Sequence, residues 1–585
     1  MLEYYDDDDD DDDVEELGSG WGVGVAPPIE EPEPQSFELE HDTEKEWRVF
    51  GPPGTGKTTW ATAQIAAAAK KYGGKRVLAC SFTKTAASEL VARLKGDEVK
   101  VPRHNVGTIH SLCYQALGRP TLAETKIAEW NDRVDSRLRI SRTSVDRQMD
   151  EGDVSIMDKT SDTGDALLSQ YNFLRNKLVP LHEMPWTVRE FAEKWEEWKE
   201  ERELMDFTDL LAKGGMGMLY APNNASICFV DEAQDLTPLQ FAVVRHWARS
   251  LVSLIFLADD DQAIFSFTGG SPDSLIDPTF PSSNKIVLEQ SHRVPHAVHA
   301  HAVKWAGWLK HREPKEYKPM EREGSVIRLP QATYKNPAPA IRHAAKRIEE
   351  GRSVMLLASC SYMLKYQILP QLKEARIPFW NPYRETQGEW NPINGARRRK
   401  IQNFLNPNGQ SVPIFPGATL WDLDQLEDWL PLISSSHAWL KRGAKEALKR
   451  VRKADRPLDA LLNWYCDYFL SPGLDEALLS AASGSTDWLQ AAMPSDKAKS
   501  WEYTFEVLKR CGNAPPRCVV GTIHSVKGGE ADTVILFPDV SQESYKTIHT
   551  DIGHDSIIRL FYVGMTRAKD ELVICGPATS FKANI

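Results

Sequence analysis

The sequence of 585 residues is 41% hydrophobic and 26% charged, which is ordinary for a globular protein of several domains. It contains no apolar run of the roughly 18 residues that a membrane-spanning helix needs, and its eight cysteines form no CxxC pair. These features exclude a membrane protein and a disulfide scaffold, and they argue against a structural zinc module. The formal net charge of −13 divides into −18 for residues 1–46 and +5 for the remainder.

The first segment, residues 1–46, is an acidic tail. Residues 6–13 are eight consecutive aspartates, followed by a glycine-rich and then a proline- and glutamate-rich stretch. Charge repulsion and the lack of apolar residues predict disorder. A solvated arm is the simplest interpretation. The alternatives are a nucleic-acid mimic that competes for the protein's own basic groove and a hook for a basic protein partner. The tail does not have the pattern of a secretory signal, so we expect a cytoplasmic protein.

From Trp47 onwards, short apolar runs alternate with helical stretches, which predicts parallel α/β sheets. A first set of strands is predicted at 47–50, 76–82, 106–109, 226–230 and 253–258, with helices at 58–71, 85–95 and 238–249. A second set is predicted at 286–288, 325–329, 354–357 and 533–537, with helices at 338–350 and 362–375. Two stretches interrupt this alternation and are predicted to be insertions. Residues 114–215 are charged and helical, and residues 383–513 are rich in tryptophan, proline and clusters of basic residues.

A phosphate-binding motif follows the first predicted strand. Residues 51–58 read GPPGTGKT, which fits G-x-x-x-x-G-K-[ST] between a strand and a helix. The glycines allow backbone N–H groups to surround the phosphates of ATP, Lys57 reaches the β and γ phosphates, and Thr58 offers a hydroxyl to Mg²⁺. The predicted nucleotide-contacting residues of this segment are Gly51, Pro52, Pro53, Gly54, Thr55, Gly56, Lys57, Thr58 and Thr59.

Two adjacent acids end the predicted strand 226–230. Asp231 is suited to hold Mg²⁺ through water, and Glu232 is suited to polarise the water that attacks the γ phosphate. An acidic loop after a strand is common. The catalytic interpretation is favoured because a phosphate loop requires such a partner on a neighbouring strand.

With these two motifs, the chain resembles the superfamily 1 helicases of the UvrD/Rep type. Further segments resemble the family's motifs and follow in its order: SFTKTAA at 81–87, GTIHS at 107–111, MDFTDLL at 205–211, ADDDQAIFSF at 258–267, LEQSHR at 288–293, GTIHSVKGGE at 521–530 and RLFYVGMTRA at 559–568. The resemblance spans about residues 47–293 and 515–575.

The resemblance implies two RecA-like P-loop motor domains with parallel sheets, each carrying an inserted, mainly helical subdomain. The implied division is an acidic tail at 1–46, a first core at 47–113 and 216–283, a helical insertion at 114–215, a second core at 284–382 and 514–585, and an insertion subdomain at 383–513.

The resemblance also implies roles in hydrolysis. Gln262 would touch the γ phosphate and link the state of ATP to the DNA site. Arg293 and Arg567 would act as arginine fingers from the second core, neutralising transition-state charge when the cleft closes. Glu530 would contact the ribose or support the γ-phosphate pocket. His292 replaces a tyrosine that stacks on the base, and no clear adenine-reading glutamine lies upstream.

For DNA, the resemblance indicates a single strand that crosses the top of both cores, where bases stack on aromatic rings. Phe267 takes the place of a stacking tryptophan, although ordinary core packing is the alternative for Phe267 and Phe82. The candidate DNA contacts are Phe82, Thr83, His110, Phe267 and His524. The basic clusters at 397–400 and 441–453 would either grip duplex DNA or form a solvated helix face.

These features together indicate an ATP- and Mg²⁺-dependent helicase that moves 3′ to 5′ along single-stranded DNA and unwinds duplex DNA. The alternative is a translocase that displaces bound proteins with little unwinding. A DNA-binding protein with an inactive ATPase site is a third reading, against which the intact catalytic residues argue. The expected partners are single-stranded and forked DNA, and the expected state is a monomer or weak self-association.

Overall fold

A computed structural model of the protein describes residues 45–82, 87, 90–91, 94, 101–141, 163–382, 390–392, 395–408, 419–435, 437–452, 454, 457–470, 472–511 and 514–585. Nearly all of the predicted acidic tail and most of the predicted helix 85–95 therefore lie outside the described residues.

Six parallel strands form the first sheet, in the order β3-β2-β4-β5-β1-β6. They are β1 Glu46–Phe50, β2 Val77–Ser81, β3 Val106–Thr108, β4 Ile227–Asp231, β5 Ser253–Ala258 and β6 Lys285–Val287. Helices Lys57–Tyr72, Ile109–Ala116 and Pro238–Ala248 belong to the same unit. Every residue of β2 and β4 is buried, because helices cover both faces of a parallel sheet and the strands must be apolar throughout.

The prediction that placed strand 286–288 in the second set is wrong. The strand occupies Lys285–Val287 and pairs in parallel with β1, with Arg48 opposite Lys285. The backbone N–H of Leu288 then donates to the carbonyl of Phe50 at 2.8 Å, so the ladder continues to the end of the apolar run. The run itself indicates a buried strand but does not reveal which sheet it joins.

A two-stranded ribbon follows the first sheet. It consists of β7 Gln290–Pro295 and β8 Lys318–Met320, which run parallel and are joined through helix His296–Ala306. The polar residues Gln290, Ser291 and His292 break the apolar pattern, which is why the sequence did not predict β7. The ribbon contains Arg293.

The second sheet also has six parallel strands, in the order β11-β12-β10-β13-β14-β9. They are β9 Ser325–Leu329, β10 Val354–Ala358, β11 Phe379–Trp380, β12 Cys518–Thr522, β13 Ala531–Leu536 and β14 Ala568–Cys575. The helices of this unit are Ala338–Glu349, Ser361–Met363, Leu369–Glu374, Gln542–Lys546 and Asp551–Met565. The two sheets confirm the predicted α/β class with parallel strands.

Helices with tryptophan-rich cores interrupt both sheets in sequence. Between β3 and β4 lie Ile127–Arg133, Gly164–Asn176, Trp186–Glu201 and Phe207–Asp209. Among them, the ring of Trp130 packs edge to face on Trp195 and at a tilt on Trp198. Between β11 and β12 lie Gly395–Leu405, Leu423–Trp429, Ala444–Val451, Pro457–Tyr468, Gly473–Ala482, Asp487–Ala492 and Ser495–Cys511. Within the part of the chain that the structure describes, none of the helices is long and apolar enough to cross a membrane.

Candidate active site

The loop 51–56 joins β1 to helix Lys57–Tyr72. The N–H of Gly51 donates to the carbonyl of Ala258 at 3.0 Å, which anchors the loop to the end of β5. Gly54 and Gly56 have φ angles of 77° and 81°, in the left-handed region that favours glycine. The Nζ of Lys57 donates to the Gly51 carbonyl at 2.6 Å, so the lysine folds back over the loop. The backbone N–H groups in the first turn of a helix point towards its N-terminus, which makes the loop suited to bind anions.

The two predicted acids lie where β4 ends. Asp231 is buried, and its Oδ1 accepts the N–H of Glu232 at 2.9 Å. Glu232 itself has a φ of 54°, an uncommon angle for a residue with a side chain and one that often accompanies function. Burial acts to raise the pKa of Glu232, but the positive charges of Lys527 and Lys57 outweigh it and lower the pKa to about 2. Glu232 is therefore an ionised carboxylate at neutral pH.

Gln262 and Arg567 meet beside these acids. The Nε2 of Gln262 donates to Asp259 at 2.7 Å, and its Oε1 accepts Nη2 of Arg567 at 2.6 Å. Arg567 is only 2% exposed, and its Nε donates to the carbonyl of Val563 in the last turn of helix Asp551–Met565. Gln262 follows β5 of the first sheet and Arg567 precedes β14 of the second, so this bond joins the two units.

Arg293 and His292 lie against the phosphate loop. The N–H of His292 donates to the carbonyl of Gly54 at 2.8 Å, and the His292 side chain is exposed. The Nε of Arg293 donates to Glu530 at 2.7 Å, which brings these two predicted residues together. A Cβ atom on Gly54 would lie 2.5 Å from Cβ of Arg293, so any side chain at position 54 would push the ribbon away.

The residues that follow β4 and β5 contact two other segments, residues 291–317 and residues 524–567. We call this boundary the seam. Lys527 crosses it: its Nζ lies 3.1 Å from Glu232, bonds the carbonyl of Gln262 at 2.9 Å and pairs with Asp235. Burial raises the pKa of Asp235 to about 6 despite this lysine. Lys527 lies inside the GTIHSVKGGE motif, which could have indicated a functional role for this lysine. The sequence alone did not identify its acidic partners.

A second cation in the seam was also missed. The Nζ of Lys315 lies 2.6 Å from Asp260 and 2.9 Å from Asp261, while Arg312 contacts the same Asp261 at 2.5 Å. Lys315 is almost completely buried, and burial is outweighed by the three acids at 259–261, which raise its pKa. A single lysine between a proline and a glutamate gives no sequence signal for such a role.

Three of the candidate DNA contacts, Phe82, Phe267 and His524, lie around the ring of Phe265. The rings of Phe267 and His524 lie 5.2 Å apart across the seam, and both are partly exposed. His110 packs edge-on against Phe207, with ring centroids 6.2 Å apart. Phe82 is 6% exposed and packs on Phe265 at 5.2 Å. Thr83 lies outside the described residues.

The oxygen groups around the loop fit a hard cation such as Mg²⁺, which prefers carboxylate and hydroxyl ligands. Thr58 lies in the first helical turn after the loop, and Asp231 ends a strand that is separated from β1 only by β5. The loop's backbone donors and Lys57 supply the positive side of a phosphate site. Nucleotide and metal would therefore share one pocket at the carboxyl edge of the first sheet.

Comparison with known proteins places both units in one family. Residues 33–278 match the model of the UvrD/REP helicase N-terminal domain, and residues 517–575 match that of the UvrD-like helicase C-terminal domain. Together the two matches cover about half of the chain.

Individual relatives match over less than half of the chain. YjcD of Bacillus subtilis is 26% identical over 280 residues, covering 44% of this chain and 36% of its own length. The ATP-dependent DNA helicase UvrD2 of Mycobacterium tuberculosis is 29% identical over 277 residues, covering 42% and 39%. The ATP-dependent DNA helicase PcrA of Staphylococcus epidermidis is 24% identical over 290 residues, covering 44% and 37%. The chain thus spans less than two fifths of the length of these relatives.

Proposed function

We propose that this chain, which belongs to the UvrD/Rep helicase family, is an ATP- and Mg²⁺-dependent DNA helicase. In this proposal it moves 3′ to 5′ along single-stranded DNA and separates duplex DNA. The observation that carries the proposal is the bond between Arg567 and Gln262, which brings an arginine from the second unit to the acids beside the phosphate loop. The names of UvrD2 and PcrA support the same activity.

The residues of the first unit would bind and hydrolyse the nucleotide. Lys57 and the N–H groups of the loop would hold the phosphates, and Thr58 with Asp231 would hold Mg²⁺. The metal would neutralise charge on the phosphates. Glu232, ionised because of Lys527 and Lys57, would accept a hydrogen bond from the attacking water and take up its proton.

The residues of the second unit would sense the nucleotide. Arg567 and Arg293 would stabilise negative charge on the γ phosphate, and Glu530, now bonded to Arg293, would lie at the ribose side. Because Arg567 reaches the site only across the seam, hydrolysis would change how the two units contact each other. A contact that depends on nucleotide is what converts hydrolysis into movement.

We also propose the domain division implied by the sequence, with RecA-like cores at 47–113 with 216–283 and at 284–382 with 514–585, and insertions at 114–215 and 383–513. The pairing of β6 with β1 moves the proposed boundary between the two cores from residue 283 to residue 287, so the second core begins at residue 288. The single strand would pass Phe267 and His524, whose partly exposed rings lie on the two sides of the seam.

The test is a phosphate-release assay with and without single-stranded DNA, beside unwinding of duplexes that carry either a 3′ or a 5′ tail. We expect DNA-stimulated ATP hydrolysis and unwinding from the 3′ tail. A parallel assay for displacement of a protein bound to the strand separates the translocase alternative, which predicts displacement without unwinding. Absence of DNA-stimulated hydrolysis in the wild-type protein would contradict the proposal.

A further inference from the structure

The carbonyl of Pro53, at the tip of the phosphate loop, receives two hydroxyl groups from the ribbon. The Oγ of Ser291 and the phenol of Tyr317 each donate to it at 2.9 Å. Ser291 lies in β7, and Tyr317 immediately precedes β8. With the bond from the His292 N–H to the next carbonyl, that of Gly54, the ribbon holds two successive loop carbonyls.

Holding a carbonyl also aims the neighbouring N–H. A trans peptide is planar, and its C=O and N–H point in opposite directions. Since the Pro53 carbonyl points to the ribbon, the N–H of Gly54 points away from the ribbon. Pro52 and Pro53 have no N–H to offer a phosphate, so the direction of the Gly54 N–H matters more here than in a loop without prolines.

We propose that Ser291 and Tyr317 are positioning residues for the nucleotide, which hold the Pro53 carbonyl so that the Gly54 N–H faces the phosphates and Arg293 stays seated against the loop. The inference rests on the proposed function, because it takes ATP to be the ligand of the loop. It adds to that function two residues that touch the loop and not the nucleotide.

Ser291 connects the loop with the arginine directly. It is 1% exposed, and its Oγ, while donating to Pro53, also accepts the backbone N–H of Arg293 at 3.3 Å and of Val294 at 3.1 Å. The same hydroxyl therefore organises the backbone that carries Arg293 and the tip of the loop. Loss of that hydroxyl would loosen both.

Tyr317 is held in place for its bond. His299 packs on its ring with centroids 4.5 Å apart and bonds its backbone carbonyl at 3.0 Å. Burial raises the pKa of the Tyr317 phenol, with Asp259 adding to this effect and Arg293 and Arg567 opposing it, so the phenol keeps its proton and remains a donor. The phenol thus lies within the electrostatic reach of both proposed arginine fingers.

The test uses Ser291→Ala, Tyr317→Phe and the double variant, each of which removes a hydroxyl and leaves the packing nearly unchanged. The matched control is Tyr503→Phe, because the Tyr503 phenol also donates to a backbone carbonyl, that of Ile377, far from the loop in sequence. The measurements are the Kd of a fluorescent ATP analogue, KM and kcat for ATP, and the affinity for single-stranded DNA.

We expect each single variant to weaken ATP binding about fivefold, the size of one lost hydrogen bond. The double variant should weaken ATP binding by more than the product of the two single effects, because it leaves a buried carbonyl without a hydrogen-bond donor. The KM for ATP should rise with Kd while kcat for Tyr317→Phe and DNA affinity stay near wild type. Tyr503→Phe should behave as wild type in all four measurements.

Two results would overturn the inference and leave the proposed function standing: wild-type ATP affinity in the double variant, or an equal loss in Tyr503→Phe. If the wild-type protein itself fails to bind the ATP analogue, the proposed function is wrong and the inference falls with it. The measured Kd of the ATP analogue thus distinguishes a failure of the inference from a failure of the proposed function.

Discussion

The two sides of the seam carry opposite charges. The first sheet contributes acids at the end of β4 and after β4 and β5: Asp231, Glu232, Asp235, Asp259, Asp260 and Asp261. The cations that face them come from the segment 291–317 and from the second sheet: Arg293, Arg312, Lys315, Lys527, Arg559 and Arg567. The contacts of Lys315 and Lys527 with these acids show that the two sides neutralise each other.

The neutralisation is incomplete, and this shows how a ligand could act on the seam. Burial raises the pKa of both Asp235 and Asp261 to about 6 although each has a cation beside it. The ionised forms of these two acids are thus poorly stabilised at their buried positions. A nucleotide held by Lys57 would add negative charge on the first side, and the cations of the second side would gain a stronger partner than Gln262 or Glu530. We therefore expect ATP to tighten the seam.

The strongest test of the first side removes its reacting groups. We expect Lys57→Ala and Glu232→Gln each to abolish DNA-stimulated ATP hydrolysis, because in the proposed mechanism one variant loses a phosphate contact and the other loses the group that activates water. Glu232→Gln should still bind ATP. Hydrolysis and nucleotide binding measured on both variants check this, and normal hydrolysis by Glu232→Gln would show that the acid has another role.

The matching test of the second side is Arg567→Ala. Loss of an arginine finger costs about 10³ or more in rate, so hydrolysis and unwinding should both disappear. Affinity for single-stranded DNA should stay near normal, since Arg567 is buried against Gln262 and Val563. Arg452→Ala, which removes an exposed arginine paired with Glu427, is the control. Wild-type hydrolysis by Arg567→Ala would mean that the seam takes no part in the chemistry.

The sequence predicts the two sides unequally well. Strands buried on both faces, such as β2 and β5, form continuous apolar runs that can be recognised. β14 escapes recognition because it begins Ala-Lys-Asp-Glu, and β11 because it has two residues. Local motifs likewise mark Lys57 and Glu232 as candidates, because each motif needs only a strand and the turn after it.

The rest of the site depends on contacts between distant parts of the chain. Lys527 meets Asp235 from 292 residues away, and nothing near either residue in the sequence indicates the pairing. The hydroxyl contacts of Ser291 and Tyr317 with Pro53 depend in the same way on how the ribbon lies on the loop. Packing of the two units determines these contacts, whereas local residue patterns determine the strands.

A smaller effect is expected where we propose that the two sides share a surface for DNA. Phe267→Ala removes a ring that can stack on a base, which is worth roughly 1–3 kcal/mol of single-strand affinity. Unwinding should slow, while hydrolysis at saturating DNA survives in part because the phosphate loop is untouched. Phe581→Ala, a half-buried ring packed on Tyr545, controls for general loss of packing. Normal DNA affinity and unwinding in Phe267→Ala would identify the ring as a core residue.

The smallest expected effect is a change in the pH dependence of ATP hydrolysis when one cation of the second side is replaced by a neutral residue. Lys527→Met removes the charge that, together with Lys57, holds the pKa of Glu232 at about 2 against burial. Without that charge the pKa of Glu232 rises, and the pKa of Asp235 rises further above about 6. In the proposed mechanism ionised Glu232 is the active form, so the variant should lose ATP hydrolysis as the pH falls and regain it as the pH rises.

The measurement is kcat/KM for ATP between pH 5.5 and 9 at constant ionic strength. In the wild-type protein, Glu232 should not contribute to the fall of kcat/KM at low pH, because its pKa lies far below this range. The acid limb of Lys527→Met should lie at higher pH, with the two rates converging towards pH 9. Lys449→Met, which breaks an exposed pair with Glu446, should leave the profile unchanged because exposed pairs contribute little. An unshifted profile in Lys527→Met would mean that the charge of Glu232 does not depend on the opposite side of the seam.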